Sequence, residues 1–253
     1  MAIKKLMHKG LGVFKHRLLS GRCLGCLAPA QDELPLCIPC EENLALNNHA
    51  CRQCASPIEA AQRMVQPAFL LCVSCQQDSP AFQKTISPYL YSYPLDRFVN
   101  RFKQDQQLIY GRLLARLMAR NLHLHYQDSD HSLPDQIIAV PSHKKRRFKR
   151  GFNPAALLAD EVAKTLQRPF NPKLCQKITD TAEQHTLDRQ ARLKNLQGSF
   201  SLTEPVTDQH IAVVDDVMTT GATAGVIAEL LRDNGAKEVH IWTLARTPYQ
   251  PKI

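Results

Sequence analysis

The sequence predicts an α/β protein built on a parallel sheet and preceded by a small cysteine-rich module. Apolar runs at 136–140 and 211–214 are each followed by a polar loop and an amphipathic helix, the order typical of parallel α/β units. Eight of the nine cysteines lie between positions 23 and 75, which indicates a separate module there. At 253 residues and 44% hydrophobic composition, the chain can bury one substantial core and a smaller one.

The charge of the chain indicates what kind of partner it binds. A formal net charge of +9 favours phosphorylated small molecules, nucleic acid or an acidic surface. No apolar run approaches the roughly 18 to 20 residues that span a bilayer. The basic segment 1–22 has neither an unbroken apolar core nor a cleavage site. We therefore expect a soluble, cytoplasmic protein without membrane insertion.

The cysteines form four Cys-x-x-Cys pairs. Two thiolates at i and i+3 chelate one ion, and two such pairs complete the four-sulfur shell that zinc prefers. We expect two structural zinc ions and leave open whether the pairs combine sequentially or interleave. The alternative is a disulfide framework, which the lack of a secretion signal disfavours. The predicted ligands are Cys23, Cys26, Cys37, Cys40, Cys51, Cys54, Cys72 and Cys75.

These boundaries divide the chain into three parts. We predict a basic N-terminal segment at 1–22, a double zinc ribbon at 23–80 and the α/β domain at 81–253. The α/β domain opens with Tyr89, Tyr91 and Tyr93, whose alternation predicts a half-buried strand bracketed by Pro88 and Pro94.

A helix is predicted from Gln106 onward, because its apolar residues recur at helical spacing. Arg112, Arg116 and Arg120 stack at i, i+4 and i+8 on another face of this helix. This stripe is either an ordinary solvated face or a surface that binds anions or nucleic acid. The apolar positions are Leu113, Leu114, Leu117 and Met118.

The strand predicted at 136–140 leads into a strongly basic loop, followed by Gly151, Asn153 and a helix. A loop at the carboxyl end of a parallel strand is where ligands bind in α/β folds, and cationic side chains there hold phosphate oxygens. A nonspecific basic surface is the alternative. The basic residues are Lys144, Lys145, Arg146, Arg147, Lys149 and Arg150.

The stretch "IAVVDDVMTTGAT" begins a second unit, with a strand at 211–214, a helix that stops at Gly235, and a strand at 239–244. Asp215 and Asp216 follow the first strand, and "TTGAT" turns onto the helix N-terminus, where free N–H groups suit a phosphate. Adjacent carboxylates beside a phosphate repel it unless sugar hydroxyls or a metal ion satisfy them, which favours a phosphorylated sugar.

"AVVDDVMTTGAT" resembles the phosphoribosyl pyrophosphate (PRPP) motif of type I phosphoribosyltransferases. Together with "VPSHKKRRFKRGFN", "TAEQHTLDRQARLKNLQGSF" and the cysteine pairs, it makes the chain similar to the ComF family, including its GntX-type members, over nearly the full length. The resemblance implies a type I phosphoribosyltransferase-like parallel sheet flanked by helices, behind a zinc-ribbon domain. It also implies that Mg²⁺ binds with PRPP, chiefly through pyrophosphate and ribose oxygens.

The resemblance assigns roles to individual residues. Asp215 and Asp216 would hold the ribose hydroxyls. The 5′-phosphate would lie on Thr219, Thr220, Gly221, Ala222 and Thr223. The pyrophosphate loop would comprise Ser142, His143, Lys144, Lys145 and Arg146.

The polar segment 181–200 is expected to be a mobile hood that excludes water from PRPP, or else a solvated amphipathic helix. Its candidate site residues are Gln184, His185, Arg192 and Asn195. Some purine-specific relatives place a third aspartate just before the loop threonine, whereas this chain has Thr219 there. The motif therefore names no general base, and His185 is a candidate substitute.

Two functions follow from the resemblance. One is a phosphoribosyltransferase-like protein that binds PRPP and Mg²⁺ and acts in competence, meaning DNA uptake and natural transformation, with an unidentified acceptor. The other is a non-enzymatic sensor or scaffold of the same fold that binds single-stranded DNA through its basic surfaces and zinc domain. Other competence proteins are candidate partners in both cases.

Overall fold

The computed structural model describes residues 21–31, 34–58, 70–127, 132–142, 144–178 and 198–248, with the backbone alone at 144–146. The chain divides into two compact units, 1–44 and 45–253. The second group of four cysteines therefore belongs to the larger unit together with the sheet. The division at 80/81 expected from the sequence stays a prediction.

Seven helices and seven strands lie in the described ranges. The helices are α1 (Ile38–Glu42), α2 (Val73–Gln77), α3 (Leu95–Lys103), α4 (Leu108–Gln127), α5 (Lys144–Arg150), α6 (Pro154–Leu166) and α7 (Ala222–Asp233). The strands are β1 (Lys84–Ile86), β2 (Tyr89–Leu90), β3 (Gln136–Ala139), β4 (Cys175–Lys177), β5 (Phe200–Leu202), β6 (His210–Met218) and β7 (Glu238–Arg246).

Five strands form one parallel sheet in the order β1-β7-β6-β3, and β2 pairs with β7 beyond β1. β6 lies between β3 and β7, so that Val214 is opposite both Ala139 and Trp242. Strands β4 and β5 form a separate antiparallel pair. The parallel sheet predicted from the sequence is confirmed.

Helices cover the central strands. Ile211 and Val213 of β6 pack in one core with Ile227 and Leu231 of α7, while α6 packs against β3 and β6. The apolar run of β6 is buried because both faces of the strand meet helices, which is typical of parallel sheets. The sheet thus places the carboxyl end of β6 directly before the N-terminus of α7.

The helix predicted after Gln106 is α4, and its four predicted apolar residues are completely buried. Arg112 and Arg116 are exposed, whereas Arg120 is partly buried. No helix within the described ranges is long and apolar enough to cross a membrane.

Two local predictions were wrong. The tyrosine strand ends at Leu90, and Tyr93 is 68% exposed because the chain turns there into α3. The basic segment predicted as a loop is α5, since lysine and arginine are good helix formers and no proline or glycine interrupts them. Gly151, with φ +80°, follows the end of this helix.

Candidate functional site

A three-residue glycine loop (219–221) joins β6 to α7. Gly221 precedes the helix with φ +80°, a left-handed conformation that side chains with a Cβ rarely adopt. The Thr220 hydroxyl accepts a hydrogen bond from the Ala222 N–H at 3.3 Å. A Cβ at position 221 would lie 2.5 Å from the Met218 terminal methyl carbon. The backbone therefore favours glycine here, and any larger residue would also displace the end of the Met218 side chain.

A cavity of about 100 Å³ opens at this loop, between the end of β6 and the start of α7. Among the described residues, the N–H groups of Thr223 and Ala224 have no hydrogen-bond acceptor, as expected in the first turn of a helix. These amides and the positive end of the helix dipole favour an anion. The cavity is lined by Asp215, Val217, Met218, Thr219, Thr220, Gly221, Ala222, Thr223, Ala224, Ile241 and Thr243.

The two adjacent carboxylates have different partners. Asp216 is 7% exposed, and its Oδ2 lies 2.6 Å from the Lys103 Nζ at the end of α3. Asp215 is half-buried and lines the cavity. Burial, followed by the charge of Asp216, raises the pKa of Asp215 from 3.8 to about 8. Lys103 thus compensates Asp216, while Asp215 holds a proton near neutral pH.

Lys103 and Thr243 are two candidate site residues that the sequence analysis missed. Thr243 is opposite Asp215 in the ladder between β6 and β7. It is completely buried, and its hydroxyl has no hydrogen-bond partner in the described part of the chain. The only sequence signal for it is one hydroxyl in the apolar run "IWTLA". Lys103 has no such signal, because it meets Asp216 through tertiary packing.

The predicted pyrophosphate loop follows β3, the neighbour of β6 in the sheet. The Ser142 hydroxyl is buried and has no partner among the described residues, and the Asn153 side-chain amide donates to the Val140 carbonyl at 3.0 Å. Parallel strands end at the same edge of the sheet, so Ser142, which follows β3, and Asp215, near the carboxyl end of β6, lie toward the same edge. His143 and the hood residues Gln184, His185, Arg192 and Asn195 lie outside the described residues, as do the side chains of Lys144, Lys145 and Arg146.

The cysteines form two groups of four, in sequential order. In each group the four sulfur atoms lie within 4.8 Å of one another. The Cys26 and Cys37 sulfurs are 3.5 Å apart, and those of Cys54 and Cys72 are 3.6 Å apart. Sulfurs in a tetrahedral zinc shell are about 3.8 Å apart, from Zn–S bonds of roughly 2.3 Å. All nine cysteines are free of disulfide bonds.

Both groups are therefore compatible with structural zinc, the first (Cys23, Cys26, Cys37, Cys40) in the smaller unit and the second (Cys51, Cys54, Cys72, Cys75) in the larger. Four thiolates leave no position for water, so neither group is a catalytic candidate.

Arg246 connects the second cysteine cluster to the glycine loop. This buried side chain donates through Nε to the Cys54 carbonyl at 3.1 Å, and through Nη1 to the carbonyls of Met218 (3.1 Å) and Thr219. A cavity of about 300 Å³ lies between the second cysteine cluster and the glycine loop. Arg246 therefore links the glycine loop to the cysteine cluster, a connection that no sequence pattern indicates.

Two kinds of similarity agree with this geometry, one to a family model and one to known proteins. A family model described as "Phosphoribosyl transferase domain" matches residues 149–252. The chain is 33% identical over 228 residues to DNA utilization protein YhgH of Salmonella typhimurium, covering 90% of this chain and 97% of that one. It is 32% identical over 224 residues to Competence protein F of Haemophilus influenzae, covering 83% and 96%.

Among solved structures, a hypoxanthine phosphoribosyltransferase from Staphylococcus aureus aligns at 14% identity and a TM-score of 0.38, over 55% of this chain and 67% of that one. The sheet topology, the glycine loop and the matched domain define a phosphoribosyltransferase-like fold. Similarity to YhgH and Competence protein F over most of the chain identifies its family. The chain belongs to the ComF family.

Proposed function

We propose that the protein binds PRPP with Mg²⁺ at the glycine loop and acts in DNA uptake during natural transformation. The observation that carries PRPP binding is the cavity in which the free amides of α7, the loop hydroxyls and Asp215 converge. A site for phosphate alone needs no carboxylate. A phosphorylated sugar also carries hydroxyl groups, and a carboxylate accepts hydrogen bonds from them.

In this proposal the 5′-phosphate lies on residues 219–223, and Asp215 accepts a hydrogen bond from a ribose hydroxyl. Asp216 keeps lone pairs beyond those used by Lys103 and the Val217 N–H, so it can take a second hydroxyl. Ser142 and the start of α5 would bind the pyrophosphate. Mg²⁺, when bound, neutralises pyrophosphate charge. The acceptor of a transferred phosphoribosyl group is unidentified.

The role in DNA uptake is supported by family membership. Relatives that match over most of their length carry the names Competence protein F and DNA utilization protein. Expression of this chain in Haemophilus influenzae lacking Competence protein F tests the role. We expect transformation to be restored by the wild type and not by Asp215→Asn.

Calorimetric titration with Mg²⁺ and PRPP tests the site directly. At pH 9, above the pKa of about 8, Asp215 is ionised. In a titration at this pH, Asp215→Asn should weaken binding about tenfold or more, because a hydrogen bond to a charged acceptor contributes roughly 1.5 to 3 kcal/mol. Asp233→Asn, the same change at an exposed position in the last turn of α7, is the matched control. A folded Asp215→Asn variant that binds PRPP as tightly as the wild type would contradict the proposal.

A second experiment separates an enzyme from a sensor. Incubation of the protein with PRPP and a metabolite extract, followed by mass spectrometry, should reveal a phosphoribosylated product if transfer occurs. PRPP binding without consumption would favour the sensor or scaffold, since both need the same pocket.

The exposed face of α5 favours single-stranded DNA as a further ligand. Phe148 is 93% exposed, and it lies between the exposed cations Arg147 and Lys149. Proteins that bind single strands combine such cations with aromatic rings on which bases stack. We propose that this face binds single-stranded DNA without sequence preference.

Fluorescence anisotropy with a labelled oligonucleotide tests this second function. Phe148→Ala should weaken binding about tenfold, which corresponds to roughly 1 to 3 kcal/mol for one stacked base. Affinity should also fall steeply with salt. Leu157→Ala, which removes another exposed apolar side chain from α6, is the control. Equal affinity of Phe148→Ala and wild type would contradict the stacking contribution.

A further inference from the structure

Three side chains with metal-binding chemistry meet at the amino ends of β6 and β7. His210 is the first residue of β6 and is opposite Glu238, the first residue of β7. Residues two apart in a strand lie on the same face, so His240 lies on the face of Glu238. Each of the three offers one ligand atom, and these atoms lie within 4.8 Å of one another.

We propose that His210, Glu238 and His240 form a third metal site, for Zn²⁺ or a similar divalent transition metal. Two imidazoles and one carboxylate are a donor set that such ions favour, and three protein ligands leave a fourth position for water or another ligand. Donor atoms around tetrahedral zinc are about 3.3 Å apart. Small side-chain rotations would therefore close the site, with the backbone held by the ladder.

The surroundings of His240 support this assignment. Its Nδ1 lies 3.1 Å from the Tyr126 hydroxyl, and its Nε2 lies 2.7 Å from Glu238 Oε1. A hydrogen bond from Nδ1 to an oxygen orients a ligating imidazole and directs Nε2 to the metal. The His210 and His240 rings are in edge contact, with centroids 4.3 Å apart. Both histidines are buried, while Glu238 is about a third exposed and leaves a route for the ion.

One cation opposes the site. Lys84 of β1 is opposite His240 in the ladder, and its Nζ lies 2.9 Å from His125 Nε2. The Glu238 carboxylate offsets this charge. Because two imidazoles and one carboxylate bind zinc less strongly than four thiolates, the third site fills after the two cysteine clusters.

The site is separate from the proposed PRPP pocket. His210 and Asp215 are five residues apart on β6, about 16 Å at the rise of a strand. A bound ion would cross-link β6 to β7 at the end of the sheet opposite the glycine loop. Its presence can therefore be tested independently of PRPP binding.

The test is metal content by mass spectrometry after dialysis of the full chain against Zn²⁺. We expect about three ions per wild-type chain, two in the cysteine clusters and one here. Glu238→Gln should lose one ion without loss of fold, because the glutamine amide has the shape of the carboxylate and the position is about a third exposed. His123→Gln, at an exposed position of α4, should keep all three.

Cobalt provides a second readout that needs no variant. Co²⁺ added to wild type that holds only two zinc ions, one in each cysteine cluster, should give visible absorption without the thiolate-to-cobalt charge-transfer bands of a cysteine site. A wild-type chain that takes up no metal beyond the cysteine clusters and gives no such absorption overturns the proposal. So does a third ion that survives in both Glu238→Gln and His210→Gln.

Discussion

Asp215 and Asp216 are adjacent and chemically identical, but a tertiary contact gives their carboxyl groups different electrostatic environments. Lys103 lies 2.6 Å from Asp216 and stabilises its charge. Among the described residues Asp215 forms no ion pair. Burial and the charge of Asp216 outweigh the opposing effect of Lys103 and raise the pKa of Asp215 to about 8. A site with one protonated and one ionised carboxyl group avoids the repulsion of an adjacent dianion.

The first residue-scale prediction concerns pH. The folded protein holds a proton on Asp215 that the unfolded chain releases above pH 3.8, so stability decreases as pH rises from about 4 to about 8. Asp215→Asn removes this contribution. Thermal unfolding at pH 6 and pH 9 should show a smaller loss of Tm in the variant than in the wild type. The control Asp233→Asn should keep the wild-type difference, and an unchanged pH dependence in Asp215→Asn would contradict the raised pKa.

The second residue-scale prediction concerns the ion pair. Lys103→Met leaves Asp216 charged and buried without its partner, which should cost about 2 kcal/mol in the free energy of unfolding. The double variant Lys103→Met/Asp216→Asn should regain part of this loss. Urea denaturation of the four forms completes a double-mutant cycle. Additive effects would show that the two side chains do not interact.

At the scale of elements, the glycine loop is held from both ends. β6 enters it with Met218, and α7 begins directly after Gly221. Gly221 and Gly151 share a φ of +80°, but only at Gly221 would a Cβ meet another atom within 4 Å. Comparing substitutions at the two positions therefore distinguishes the cost of the left-handed backbone from the cost of crowding by a Cβ.

We therefore predict that Gly221→Ala and Gly151→Ala both lower the free energy of unfolding, by about 1 kcal/mol each from the left-handed backbone. Gly221→Ala should lose more, because the Met218 side chain must move. It should also weaken PRPP binding by displacing the loop amides. Denaturant unfolding and calorimetry measure the two effects, and equal stability of the two variants would argue against crowding at the loop.

At the scale of the whole molecule, Arg246 joins the sheet, the glycine loop and the second cysteine cluster. Its guanidinium bonds to carbonyls of Cys54, Met218 and Thr219. Since structural zinc contributes folding energy to its ligand loops, loss of this metal should release the Cys54 carbonyl and with it Arg246. In the proposed function, the cluster would thereby affect PRPP binding without contacting PRPP.

The corresponding prediction is that Cys72→Ser weakens PRPP binding, measured by calorimetry on protein whose zinc content is known. Cys26→Ser, the same change in the cluster of the smaller unit, is the matched control and should bind PRPP like the wild type. Arg246→Lys should reproduce the Cys72→Ser defect while retaining both zinc ions, because lysine lacks the planar fork that reaches several carbonyls. Full PRPP affinity in Arg246→Lys would refute the link.

Local patterns in the sequence determined the parallel β6-α7-β7 unit, the buried face of α4, the cysteine pairs and the glycine loop. Each is set by residues close together in the chain: apolar periodicity, i and i+3 thiolates, and a glycine before a helix. The same local reasoning failed at α5, where basic residues were assigned to a loop although their helix propensity is high.

The tertiary structure alone decided which distant groups meet. Arg246 reaches the Cys54 carbonyl across 192 residues, and Thr243 lies beside Asp215 only because β6 and β7 pair in one register. A shift of that register by one residue would turn Thr243 to the other face of the sheet and separate His210 from Glu238. Strand register and helix packing are set by the whole core, so they, and the charge states of Asp215 and Asp216 that depend on them, cannot be obtained from any single segment.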